Sequence, residues 1–114
     1  MGKYWLVLLL ALVALPSCTN KEKVKKPERF LNEQQMIDVL ADAYLIEAEL
    51  TQLKSEGKEI GALQNAYYDQ LFAHYGITDS VFESNLKYYS YHPEVLERIM
   101  DSVEHRFLKV QEAK

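Results

Sequence analysis

The chain has 114 residues, 26% of them charged, a formal net charge of −4 and one cysteine. That length suits one small domain, and a lone cysteine excludes an intrachain disulfide or a cysteine-rich zinc site. The surplus of acid argues against nucleic acid as a partner, because binding it requires a basic face.

Lys3 opens the chain, and Tyr4 to Leu15 is an uncharged apolar run of twelve residues that Pro16 ends. A charged start, a short apolar middle and a small residue before a cut are the layout of a signal peptide. Twelve helical residues reach roughly 18 Å, well short of the roughly 30 Å of a bilayer core, so the run does not read as a membrane span. The stretch Leu15-Pro16-Ser17-Cys18 resembles the bacterial lipobox. By that resemblance, residues 1–17 are a leader cut between Ser17 and Cys18, and Cys18 carries a covalent lipid. Two or more acyl chains hold a protein stably on a membrane without a span. The alternative is a secreted protein with a cysteine placed there by chance.

Residues 18–29 read as the lipidated cysteine and a flexible basic tether, and residues 30–114 as a helical domain. Residues 19–29 hold five basic and two acidic side chains, and residues 30–114 hold 7 basic and 15 acidic, so +3 is joined to −8. The tether suits either a solvated, self-repelling linker or a segment lying on anionic head groups.

From Phe30 the apolar residues become periodic. A first helix is expected over about 32–55, with Asn32 as N-cap and Met36, Val39, Ala43, Ile46, Leu50 and Leu53 as its seam. Ile37, Leu40, Tyr44 and Ala48 form a second stripe, so this helix should meet more than one neighbour. Gly57 ends it. A second helix is expected over about 59–75, stopped by Gly76. A third begins at an N-cap Thr78 and ends near Tyr91. Pro93 suits the first turn of a fourth, running to about Glu112 with Leu96, Ile99, Val103, Phe107 and Val110 inside. Short turns between helices and no period-two stretch predict an all-α bundle of about four helices.

Three segments carry a family resemblance: Asp42-Ala43-Tyr44-Leu45-Ile46-Glu47-Ala48; Tyr67 to Tyr75 with Gly76-Ile77-Thr78; and Phe82 to Tyr89 followed by His92-Pro93. Together they resemble the short lipoproteins of the Bacteroidetes grouped as domain of unknown function 4296. The resemblance implies a helical lipoprotein domain in the cell envelope and implies no reaction.

Asp38, Asp42 and Glu49 fall on one helix face, where three acids could meet a hard cation. The plainer reading is a solvated acidic face, since such ions require about six oxygens from a shaped loop. Asp42 and Glu47 suit another task, accepting hydrogen bonds from partly buried tyrosine hydroxyls. His74, His92 and His105 are scattered; His105 follows Asp101 by four residues, which is half a metal site at most. Ser84 and Ser90 have no histidine and acid at a readable spacing.

Tyrosine is the least ordinary component of the domain. In the adjacent pairs Tyr67/Tyr68 and Tyr88/Tyr89 both rings cannot point inward, so one of each should be partly exposed and form a possible binding surface. The expectation is a lipid-anchored membrane protein of the bacterial cell envelope, on the inner or the outer membrane. It carries an interaction module, has an envelope protein as its partner, and has no catalytic residues, metal or cofactor beyond the lipid on Cys18. The alternative is a module that binds a glycan or an apolar small molecule in a tyrosine-lined pocket.

Overall fold

The computed structural model describes residues 24–113. They form α1 (Glu33–Ser55), α2 (Gly61–Tyr75), α3 (Asp79–Ser90) and α4 (Pro93–Glu112), with no strand among the described residues. The domain is all-α, as the apolar spacing predicts.

Local chemistry sets the helix ends. The Asn32 side chain accepts from the Gln35 N–H, and the Gln35 side chain accepts from the Asn32 N–H, each at 2.9 Å. This reciprocal box satisfies two donors that the start of α1 would otherwise leave open. At the other end Gly57 takes φ +81°. Its N–H reaches Lys54 O at 3.0 Å and the Lys58 N–H reaches Leu53 O at 3.1 Å, which closes the last turn. Gly76, at φ +65°, ends α2 in the same way, with the Ile77 N–H on Phe72 O at 2.9 Å and the Ile77 side chain buried. Both positions require glycine for its backbone freedom. Thr78 accepts from the Val81 N–H at 3.2 Å to start α3, and Pro93 occupies the first turn of α4. The second helix starts at Gly61, two residues later than its expected start, because the reversal after Gly57 and the half-buried Ile60 take up residues 58–60.

α1 is the element on which the others assemble. Arg98 meets Glu33 at 2.8 Å, Arg106 meets Asp38 at 2.6 Å, and the Phe107 ring meets Tyr44 edge-on at 6.3 Å. Residue numbers rise together along both helices, so α4 runs parallel to α1. Tyr75 bonds Asp42, Tyr68 bonds Glu47 and Tyr67 bonds Glu49, with numbers falling on one side as they rise on the other. α2 is therefore antiparallel to α1. The core between them holds Met36, Val39, Leu40 and Ala43 from α1, Leu71 from α2, and Ile99 and Val103 from α4. Burying each large side chain stabilises the fold by about 1.5–3 kcal/mol.

α3 closes the end of the bundle where α1 and α4 begin, and its polar residues fasten the preceding chain. Asn85 is 0% exposed. Its carbonyl accepts from the Leu31 N–H, and its amide donates to Arg29 O and Val81 O, all at 2.8 Å. The Tyr89 hydroxyl donates to Leu31 O at 2.6 Å. Both backbone groups of Leu31 are thus paired by side chains of α3, and the Leu31 side chain drops into the core.

Asn85→Ala should cost about 2–4 kcal/mol, since it strands the buried Leu31 N–H and removes the side-chain donor of Arg29 O in a domain whose total stability is roughly 5–15 kcal/mol. Tyr89→Phe keeps the ring and loses one bond, so about 1 kcal/mol is expected. Urea unfolding followed by helical circular dichroism measures both. A loss under about 0.5 kcal/mol for Asn85→Ala would remove the amide from this role.

Candidate functional site

The tyrosines on α2 face the acidic side of α1. The hydroxyls of Tyr75 and Tyr68 donate hydrogen bonds to the carboxylates of Asp42 and Glu47, and Tyr75 also donates to Asp38 O at 3.2 Å. Tyr67 reaches Glu49 at 3.4 Å, a weaker contact at the limit of hydrogen-bonding distance. Tyr68 and Tyr75 are seven residues apart, two helical turns, so one face of α2 presents both rings. Asp42 and Glu47 thus do what their place in the sequence suggests, and accept from tyrosine.

This arrangement raises the pKa of both hydroxyls. Tyr68 is pushed up to about 12, first by burial, then by its bond to Glu47 and the charge of that carboxylate. Tyr75 is also pushed up, first by burial, then by the bond to Asp42 and the charges of Asp42 and Asp38, with Arg106 opposing. An ionised tyrosine would place a second negative charge against a carboxylate, so the neutral phenol is the form that fits.

Asp38, Asp42 and Glu49 do not converge on a common centre. Asp38 takes Arg106 and the Gln34 amide, Asp42 takes Tyr75, and Glu49 takes Tyr67. The Ser84 and Ser90 hydroxyls donate to carbonyls of their own helix, Val81 at 3.0 Å and Lys87 at 2.5 Å. His92 stands at the N-cap of α4 but makes no cap bond through its side chain; its ring lies 4.6 Å from that of Tyr88.

The four tyrosines expected at a binding surface separate into two places. Tyr67 and Tyr68 are half-buried along α2, whereas Tyr88 is half-buried on α3, edge-on to Phe30 at 5.4 Å. Tyr89 is a correction to that group: it is 3% exposed, because its ring packs in the core and its hydroxyl is used by Leu31. An open groove of about 490 Å³ runs beside Tyr67, lined also by Asp42, Ile46, Glu49, Gln70, Leu71 and His74, and by neither Tyr88 nor Tyr89. Elsewhere α1 and α4 leave apolar side chains in solvent, with Tyr44 40% and Leu108 51% exposed beside the half-buried Phe107. Ser17 and Cys18 lie outside the described residues.

Sequence reasoning missed the docked strip before α1. From residue 24 the chain already runs along the domain: Val24 and Pro27 are half-buried, and the Lys26 ammonium sits 4.8 Å from the centre of the Phe30 ring. The available signal was Asn85, an amide in step with the apolar positions Phe82, Leu86 and Tyr89 of its helix.

Alkaline pH should expose the tyrosine–carboxylate pairs. Tyrosine pKa values raised in the folded state give stability that is whole below pH about 10 and is lost as pH rises toward about 12. Urea midpoints measured across this window should fall steadily in the natural protein. Tyr68→Phe combined with Tyr75→Phe should flatten the fall, and an unchanged slope would show that other groups set it.

No curated protein and no solved structure matches the chain. The sequence profile of one family does, over residues 27–113, which includes the strip ahead of α1 from Pro27 onward, all four helices and the tyrosine–carboxylate contacts. The chain belongs to the family described as a domain of unknown function, DUF4296.

Proposed function

We propose that this chain is a lipid-anchored protein of the bacterial cell envelope whose helical domain is a non-catalytic interaction module for another envelope protein. The observation that carries the reading is Leu15-Pro16-Ser17-Cys18, closing an apolar run too short to span a bilayer and holding the only cysteine. No described helix is long and apolar enough to cross a membrane, so attachment in this reading rests on the lipid. The exposed Tyr44 and Leu108 suit contact with a protein partner, since aromatic and apolar side chains enrich such surfaces. The acidic balance of the domain favours a partner with basic groups around an apolar centre.

A second reading, binding of a glycan or apolar small molecule, draws on the groove beside Tyr67. Its volume falls in the range of ligand sites and Ile46 and Leu71 give it an apolar base. Against it, the Tyr67 hydroxyl is already turned toward Glu49, and the remaining tyrosines lie outside the groove.

Cys18→Ala in the full chain tests the anchor. The natural protein should stay with membranes through a carbonate wash and give a mature mass that starts at Cys18 with acyl chains added. The variant should move to the aqueous fraction with its helical signal unchanged. A variant that still sediments with membranes would refute the lipid. Crosslinking in intact envelopes, tether retained, separates the two readings of the domain: a protein adduct lost on Leu108→Glu supports the first, and its absence moves weight to the groove.

A further inference from the structure

The groove between α1 and α2 combines an apolar floor, an aromatic wall and two carboxylates. Asp42 lies opposite Tyr75 and Glu49 opposite Tyr67, so the two acids stand toward opposite ends of it. They are seven residues apart, about 10.5 Å along α1. Ile46 falls between them on the same helix and forms the floor with Leu71, which is 6% exposed. The half-buried Tyr67 ring flanks one end, with its hydroxyl 3.4 Å from Glu49.

Neither carboxylate has a cation of its own. Among the described residues the ion pairs are Arg98 with Glu33, Arg106 with Asp38, and Lys58 with Glu56. No lysine or arginine lines the groove, and α2 contains none. The one cation of α1, Lys54, follows Glu49 by five residues and so lies about 140° round the helix from it. Arg106 comes near through Asp38, and that carboxylate offsets it. Each acid also keeps an oxygen without a donor among the described residues, since Tyr75 takes Asp42 Oδ2 and Tyr67 takes Glu49 Oε1. A lysine or arginine side chain matches this arrangement in all its parts. Its aliphatic stem covers Ile46 and Leu71, its head bonds the open carboxylate oxygen, and at one end the cation also meets the Tyr67 ring. A neutral glycan or apolar molecule would leave both charges without a partner.

We propose that the α1–α2 groove receives a basic helix of the partner protein, with lysine or arginine at positions seven apart over Asp42 and Glu49 and an apolar side chain between them on Ile46 and Leu71. This rests on the interaction-module reading for the existence of a partner, and adds to it a contact surface and the chemistry that fits. Two helices laid side by side repeat in step every seven residues, so the cation spacing copies that of the acids. The residue three or four places after the first cation then falls over Ile46, which gives the apolar centre and charged rim of a helix-in-groove contact.

The probe is an alanine-based helical peptide carrying two arginines seven residues apart with a leucine midway. It is titrated into the membrane-purified protein, expressed from the full-length precursor and held in neutral phosphatidylcholine nanodiscs, with isotope-labelled isoleucine methyls read by nuclear magnetic resonance. Of the five isoleucines only Ile46 lines the groove, so its methyl is the local signal and that of the wholly buried Ile99 the control. Ile46 should shift at peptide concentrations up to about 1 mM while Ile99 stays. Asp42→Asn plus Glu49→Gln keeps acceptors for both tyrosines and should weaken binding at least about fivefold. Gln70→Lys, at an exposed position on the groove wall, should do the same, and stands even where the double substitution disturbs folding. Asp69→Asn plus Glu83→Gln removes equal charge from exposed positions outside the groove and should change affinity less than about twofold. No shift at Ile46, undiminished binding by the Asp42/Glu49 variant, or an equal loss in the Asp69/Glu83 variant overturns the groove. In intact envelopes, a photo-crosslinking residue at position 70 should give a protein adduct that Asp42→Asn plus Glu49→Gln abolishes. An adduct through position 108 with none through position 70 overturns the groove and leaves the interaction module standing. No adduct through either overturns both.

Discussion

A buried amide and a phenol hydroxyl decide how this domain is closed. Asn85 is wholly buried, yet none of its polar atoms is left unpaired, because the chain ahead of α1 brings Leu31 N–H and Arg29 O to it. Without those partners, a wholly buried amide would cost several kcal/mol, comparable with the gain from a large core side chain. Strip and helix therefore depend on one another: α3 has no reason to turn Asn85 inward unless the strip is present, and the strip has no regular structure to hold it unless Asn85 and Tyr89 take its backbone groups. The parallel pairing of α1 and α4 follows from this arrangement, since α2 returns the chain to the end where α1 begins and α3 crosses that end before α4 starts.

The opposite face of α1 solves a different problem. α2 has half-buried tyrosines whose hydroxyls require acceptors, and Asp42, Glu47 and Glu49 supply them from a helix that is apolar on its other sides. Carboxylates close to the interior usually carry a desolvation cost. Here each keeps contact with water and accepts from a neutral donor, so the acidic surface and the helix contact are compatible. The same residues leave Asp38 to Arg106, which ties α4 to α1 near their shared end.

Much of this could be read from the residues because it is local or periodic. The seam Met36, Val39, Ala43 and Leu50 is buried as its spacing requires, and Asn32, Thr78, Gly76 and Pro93 act at the helix ends where their chemistry suits them. Ile46 and Leu53, on the same seam, are only half-buried. That Asp42 and Glu47 would accept from tyrosines followed from the need of a phenol for a partner; which tyrosines did not, because that depends on the register of α2 against α1. The role of Asn85 was not legible from its neighbours Glu83 and Ser84, since its partners lie 54 and 56 residues earlier. The same distance hid which ring of Tyr88 and Tyr89 turns inward.

The strip also determines how the domain responds to being pulled. A load on the N-terminal chain passes the half-buried Val24 and Pro27 and the Arg29 carbonyl held by Asn85, and then meets Leu31, with two backbone hydrogen bonds held by side chains and one apolar side chain seated in the core. These contacts would break one after another rather than shear together, so the strip gives way before α1 does. Release of residues 24–31 would add roughly 28 Å of slack at about 3.5 Å per residue. The cap over α3 would open at the same moment, leaving the Asn85 amide without its outer partners. Tension on this segment would thus be converted into exposure at one end of the bundle.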